Sequence, residues 1–194
     1  MSDFFRRLRG WMYRRYPSLH PDLHQKKMTG YARRWGLEKN GFTKQDFFAI
    51  YQRRILAGVQ PGIFFELASG DGRVGSIGCW QERIGKKWKM MAWEHRPAVA
   101  ASFARNCPLT PLHQGRLTHW TDCERKLDPV GIISRGARES SGVCREIQSG
   151  RIRPTVVGIW NPTRRPVWFR RLKKRGYRLE IVYERMEIYR WGGK

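Results

Sequence analysis

Two acidic residues, Glu66 and Glu94, stand where this chain's capacity to bind a ligand is most legible. Glu66 ends an apolar burst and is followed by Ala68, Ser69, Gly70, Asp71 and Gly72, within the stretch IFFELASGDGRVGS. Glycines after a parallel strand let the backbone approach a ligand without Cβ clashes, and Ala68 is small enough to keep that approach open. The helix expected to follow presents free N–H groups at its start. Glu94 closes a second strand, in WEHRP. An acid there in a doubly wound fold accepts both ribose hydroxyls of an adenosine-bearing cofactor. The interval between the two acids exceeds the usual spacing of about 20 residues, and the segment ERIGKKWK reads as the loop extension that accounts for it. A dinucleotide site asks for Gly-x-Gly-x-x-Gly, whereas this chain has Ala-x-Gly-x-Gly.

Other reactive residue types are less organised. Cys79, Cys107, Cys123 and Cys144 form no Cys-x-x-Cys pair and read as reduced thiols. The best zinc constellation, His113, His119 and Cys123, matches no standard spacing, and Pro21 separates His20 from His24. No metal is expected.

The elements that must position the two acids follow from periodicity. Residues 1–60 read as a basic helical extension. In its first helix Phe4, Phe5, Leu8, Trp11 and Met12 fall at helical spacing among Arg6, Arg7, Arg9, Arg14 and Arg15. Such a helix suits an anionic membrane surface or nucleic acid, or docks its apolar stripe on its own domain. A second helix is expected over 25–41, and a third after Thr43, with Phe47, Ile50, Tyr51 and Ile55 on one face and a stop at Gly58. Residues 61–194 then alternate strands and helices. Strands are expected at 62–67, 88–94, 110–114, 130–134 and 154–160, and helices at 72–84, 97–106 and 140–149. RPVWFRRLKKRG reads as a helix stopped by Gly176, and YRLEIVYERMEIYRW as two strands around a turn. This order predicts a mostly parallel α/β sheet with an antiparallel edge hairpin.

The charge is the strong compositional fact: 39 Lys plus Arg against 16 Asp plus Glu give +23 over 194 residues. Such a surface draws nucleic acid, anionic lipid or phosphorylated substrates. Trp11, Trp35, Trp80, Trp88 and Trp120 lie in basic surroundings that suit base stacking. No run approaches the ~18 apolar residues of a membrane span, and the charged N-terminus lacks an apolar signal core. The location expected is cytoplasmic, with peripheral contact at the inner membrane surface as an extension of it.

The pattern Glu-x-Ala-Ser-Gly-Asp-Gly resembles the first motif of class I S-adenosylmethionine-dependent methyltransferases. That resemblance implies a three-layer Rossmann-like sheet ending in a reversed hairpin, with S-adenosylmethionine as cofactor. It places Glu66, Ala68, Ser69, Gly70 and Gly72 around the methionine moiety, Glu94 on the ribose and His95 near the adenine. More narrowly, MAWEHRPAVAASFARNCP is similar to FkbM-type methyltransferases, which carry an acid-x-x-Pro, a short helix and an Asn there. FkbM-type members often have Asp and an Ala-Asn pair where this chain has Glu66 and Ser69-Gly70. Arg116 stands where many methyltransferases have an acid near the adenine, and SRGARES replaces an acidic segment after the next strand.

The function this implies is methyl transfer to an oxygen or nitrogen of an acceptor that the charge favours as anionic. The alternative is a non-catalytic nucleic-acid or membrane-surface binder on a degenerate methyltransferase fold. A hydroxyl acceptor benefits from a general base, and His113, His119, Asp122 and Glu139 are candidates among which the sequence does not choose. Asn161-Pro162 is half of the (Asp/Asn/Ser)-Pro-Pro-aromatic loop of amino-group methyltransferases, and reads as a turn.

Overall fold

The computed structural model describes residues 56–72, 76, 88–161, 167–183 and 186–193. The helices expected before residue 56, nearly all of that expected over 72–84, and Pro162 lie outside the described residues.

Seven strands form one sheet: β1 (Ile63–Leu67), β2 (Lys89–Glu94), β3 (Leu112–Gln114), β4 (Gly131–Ser134), β5 (Val156–Trp160), β6 (Tyr177–Tyr183) and β7 (Met186–Trp191). Their order is β3-β2-β1-β4-β5-β7-β6. The first five run parallel, and β7 pairs antiparallel with both β5 and β6. The order reverses between β1 and β4, which opens a crevice at the carboxyl ends of the strands.

Four helices are described. Helix α1 (Pro97–Asn106) begins with proline, whose fixed φ suits a first turn. Helix α2 (Asp122–Lys126) is held by reciprocal capping between Thr121 and Glu124. Helix α3 (Ala137–Ser149) buries Ser140, Val143, Cys144 and Ile147 at helical spacing and ends at Gly150 with φ 77°. Helix α4 (Val167–Lys174) turns Phe169 and Leu172 inward and keeps Arg170, Arg171, Lys173 and Lys174 exposed.

Alternation along β2 separates two cores. Ala92 packs with Phe103 and Cys107 on the α1 side, while Trp93 joins the larger cluster with Val143 and Ile147 of α3 and Leu172 of α4. Helices therefore cover both faces, giving three layers. Phe65 sits in the larger cluster, its ring centroid 4.7 Å from that of Trp93 and 5.6 Å from that of Trp120. Its burial stabilises the fold by about 1.5–3 kcal/mol.

Three expectations change. Trp120 is buried in the core beside Phe65 and presents no stacking surface. Cys107 is disulfide-bonded rather than a reduced thiol, whereas Cys123 and Cys144 are free. Helix α3 starts at Ala137, one turn earlier than its apolar spacing indicates, because its first turn carries charge and its N-cap is Gly136. No helix among the described residues is long and apolar enough to cross a membrane.

Candidate cofactor and substrate cleft

Parallel strands place the loops after β1, β2, β3 and β4 along one edge, and backbone hydrogen bonds lock these loops together. Ser69 N–H donates to the Trp93 carbonyl at 3.2 Å, Arg135 N–H to the Leu67 carbonyl at 3.0 Å, and Gly115 N–H to the Glu94 carbonyl at 3.0 Å. The loop after β1 turns through three left-handed residues: Ala68 (φ 54°), Gly70 (φ 75°) and Gly72 (φ 78°). A non-glycine residue in that region carries strain, so Ala68 holds its place because the flanking contacts over-determine it. Asn106, the last residue of α1, donates its side-chain N–H to the Asp71 carbonyl at 2.6 Å and anchors the loop from behind.

Glu66 is fully buried at the end of β1, and its Oε2 accepts from the Ser76 hydroxyl at 2.9 Å. Glu94 is also buried, at the end of β2. Its Oε2 accepts from Gly70 N–H at 2.9 Å and from the Arg96 guanidinium at 3.1 Å. Its Oε1 accepts from Arg96 N–H at 3.0 Å and Arg96 Nε at 2.9 Å. Burial pulls the Glu94 carboxyl upward. The hydrogen bonds from the Arg96 side chain and backbone and from Gly70, with the Arg96 charge, outweigh it and lower the group from 4.5 to about 2.

His95 links this acid to the next loop. Its Nδ1 lies 3.3 Å from Glu94 Oε1, and its Nε2 lies 2.6 Å from the Arg116 guanidinium. Arginine only donates, so Nε2 is the acceptor in this contact. Arg116 also donates to Glu139 Oε1 at 2.8 Å. Among the described residues, four buried side-chain atoms have no hydrogen-bond partner: Ser69 Oγ, His95 Nδ1, Trp120 Nε1 and Glu139 Oε2.

All seven residues singled out from sequence, Glu66, Ala68, Ser69, Gly70, Gly72, Glu94 and His95, fall on these loops or the strand ends that feed them. Of the four candidate bases, Glu139 alone is tied to these loops from α3, through Arg116 of the loop after β3. His113 stacks on Trp93 from the edge strand, its centroid 4.9 Å away. Asp122 is largely exposed and pairs with Arg125 at 3.0 Å, and His119 is exposed. Asn161 is buried and donates to Glu187 Oε1 at 2.8 Å, so its amide is engaged within the fold. Among the described residues, no group of three or more His, Cys, Asp or Glu side chains is placed to hold a metal ion.

Sequence reasoning missed the Arg96 clamp on Glu94 and the Arg116–Glu139 pair. The first had a signal, an arginine two residues beyond the strand-end acid. The second joins residues 23 apart on different loops and appears only once the sheet is assembled.

No protein-family model matches the chain, and no curated protein matches it. Solved structures do. Precorrin-6y C5,15-methyltransferase from Geobacter metallireducens is similar with a TM-score of 0.54 at 15% identity, over 80% of this chain and 92% of that one. The human methyltransferase 10 domain containing protein is similar with a TM-score of 0.52 at 11% identity, over 89% of this chain and 96% of that one. The METTL16 methyltransferase domain gives 0.51 at 12% identity, over 80% and 70% of the two chains. With its 3-2-1-4-5-7-6 strand order and helices on both faces, this chain has the Rossmann-like methyltransferase fold.

Proposed function

We propose that this protein is an S-adenosylmethionine-dependent methyltransferase acting on an oxygen or nitrogen of its acceptor. The observation that carries the reading is the joint geometry of Glu66, the left-handed loop and Glu94. Two buried acids end adjacent parallel strands, and the glycine loop between them donates a backbone N–H to the second.

The residues present fit the cofactor. The loop exposes backbone where side chains are smallest, and the unpartnered Ser69 Oγ and Glu139 Oε2 are polar atoms that a polar ligand satisfies. Glu66, Ala68, Ser69, Gly70 and Gly72 hold the methionine part, Glu94 the ribose hydroxyls and His95 the adenine side. The ribose hydroxyls replace the Arg96 guanidinium on Glu94; the Arg96 side chain is 55% exposed and has solvent to turn into. When bound, S-adenosylmethionine supplies an electrophilic methyl group on a sulfonium sulfur. Rigid loops tied across β1, β2, β3 and β4 supply the orientation on which such a displacement depends. The likeness of residues 62–108 to FkbM-type enzymes supports a hydroxyl-bearing acceptor, and the net charge of +23 supports an anionic one.

Calorimetric titration with S-adenosylhomocysteine tests the reading. Saturable binding is expected, and Glu94→Ala weakens it by tenfold or more, the loss of hydrogen bonds to a charged group. Absence of binding to the wild-type protein sinks the reading.

The exposed Arg170, Arg171, Lys173 and Lys174 on α4 favour a second reading: a non-catalytic binder of nucleic acid or of an anionic membrane surface, with the basic segment before residue 56 contributing. The same titration separates the two, since a binder of that kind has no use for the cofactor.

A further inference from the structure

Glu139 is the third residue of α3, and its side chain is 1% exposed. Its Oε1 is held by Arg116, whereas its Oε2 is buried without any hydrogen-bond partner. The carboxylate folds back over Gly136: a Cβ there would lie 1.9 Å from Glu139 Oε2 and 3.3 Å from the Ala68 Cβ. The glycine therefore makes room for the acid, and the acid lies beside the loop after β1. Arg116 reaches it from the loop after β3 and touches His95 from the loop after β2. Glu139 thus belongs to the same row of loops as Glu66 and Glu94, although it comes from the far side of β4.

A buried carboxylate oxygen without a donor is costly, and native folds seldom leave one. Arg116 already balances the charge of Glu139. A second cation at Oε2 would leave the Arg116–Glu139 pair with net positive charge, while a neutral N–H or O–H completes the oxygen without adding any. The nucleoside end of the cofactor carries neutral donors of this kind, an exocyclic amine and two hydroxyls. Its amino-acid end carries an ammonium instead.

We propose that Glu139 Oε2 is a binding point for a neutral N–H or O–H of the cofactor's nucleoside, an acid supplied from α3 while Arg116 occupies the loop after β3. The inference rests on the cofactor reading above. Arg116 acts through Glu139: it engages Oε1 and so leaves Oε2 as the oxygen without a donor.

The test is calorimetric titration of S-adenosylhomocysteine, and of 5′-methylthioadenosine, which lacks the amino-acid end, into wild type, Glu139→Gln and Gly136→Ala, each first checked by its melting profile. In Glu139→Gln the amide oxygen is claimed by Arg116, so its N–H turns toward the ligand donor. Roughly tenfold weaker binding of both compounds is expected. Gly136→Ala displaces the carboxylate without removing it and is expected to weaken both in the same direction, which keeps the test open if Glu139→Gln does not fold. Affinities for S-adenosylhomocysteine within twofold of wild type in both variants overturn the inference while leaving the cofactor reading intact. A drop for S-adenosylhomocysteine alone, or no binding of 5′-methylthioadenosine to wild type, places the donor outside the nucleoside and also overturns it. If wild type fails to bind S-adenosylhomocysteine, the cofactor reading falls and this inference with it.

Discussion

At the scale of single residues, Glu94 is the most tightly determined group in the cleft. Its lowered value, about 2 against 4.5, means that the fold favours its charged form. For a carboxylate depressed in this way, the stabilisation is complete above the unfolded value and is lost as pH falls from about 4.5 toward 2. Denaturant midpoints measured from neutral pH down to pH 2 should therefore fall more steeply for wild type than for Glu94→Gln, with the divergence confined to the acid limb. Parallel profiles would remove the Arg96 clamp from the description. The clamp also shows what sequence reveals and what it hides. That Glu94 ends a strand follows from the apolar run before it and Pro97 after it. That Arg96 folds back onto it depends on side-chain rotamers, which no spacing rule specifies.

At the scale of elements, legibility followed the strength of local signals. Helix α1 was readable to its ends because proline opens it and an apolar spacing runs through it. Helix α2 went unread because five residues carry no periodicity, although Thr121 and Glu124 supply the capping pattern. The hairpin of β6 and β7 was legible from alternation alone, but not the polar cluster it closes. Glu187 on β7 is buried and accepts from Asn161, just beyond β5, and from the Tyr189 hydroxyl. Burial raises the Glu187 carboxyl, and the hydrogen bonds from Tyr189 and Asn161 offset this only in part. A raised folded value means the group's contribution to stability is intact below the unfolded value and is lost as pH rises through the folded one. At neutral pH the charge is therefore a cost. Glu187→Gln keeps the shape, and the Tyr189 hydroxyl can turn to accept from the new amide. A gain of about 1 kcal/mol raises Tm by roughly 2–4 °C in a chain of this size. That gain is expected at neutral pH and should shrink below pH 4.5. An unchanged or lower neutral Tm for the variant would mean the carboxylate is better solvated than its burial indicates.

At the scale of the whole molecule, the excess of 23 positive charges has to be reconciled with a cleft whose own arginines are largely committed. Arg96 is spent on Glu94 and Arg116 on Glu139; away from the cleft, Arg125 and Arg151 are spent on Glu146. The charge that faces solvent lies elsewhere, notably on α4 and just beyond it, where Lys174 and Arg175 are exposed beside Arg153, itself 5.3 Å over the Trp191 ring. That surface flanks the N-terminal ends of the parallel strands, the edge opposite the loops that carry Glu66 and Glu94, so polyanion contact there would leave the cleft free. Each phosphate contact to a single strand steepens the salt dependence of binding by about 0.7 in the log–log slope. If this face takes part, Lys174→Glu with Arg175→Glu should weaken binding to a single-stranded oligonucleotide and lower the slope by about 1.4 or more. Tm and S-adenosylhomocysteine affinity should stay at wild-type values, since neither side chain is buried or near the cleft. An unchanged slope would assign the polyanion affinity to the basic segment before residue 56, and deletion of that segment should then abolish it. A simultaneous loss of cofactor affinity would instead mean that the two edges of the sheet are coupled, against the separation that the strand order implies.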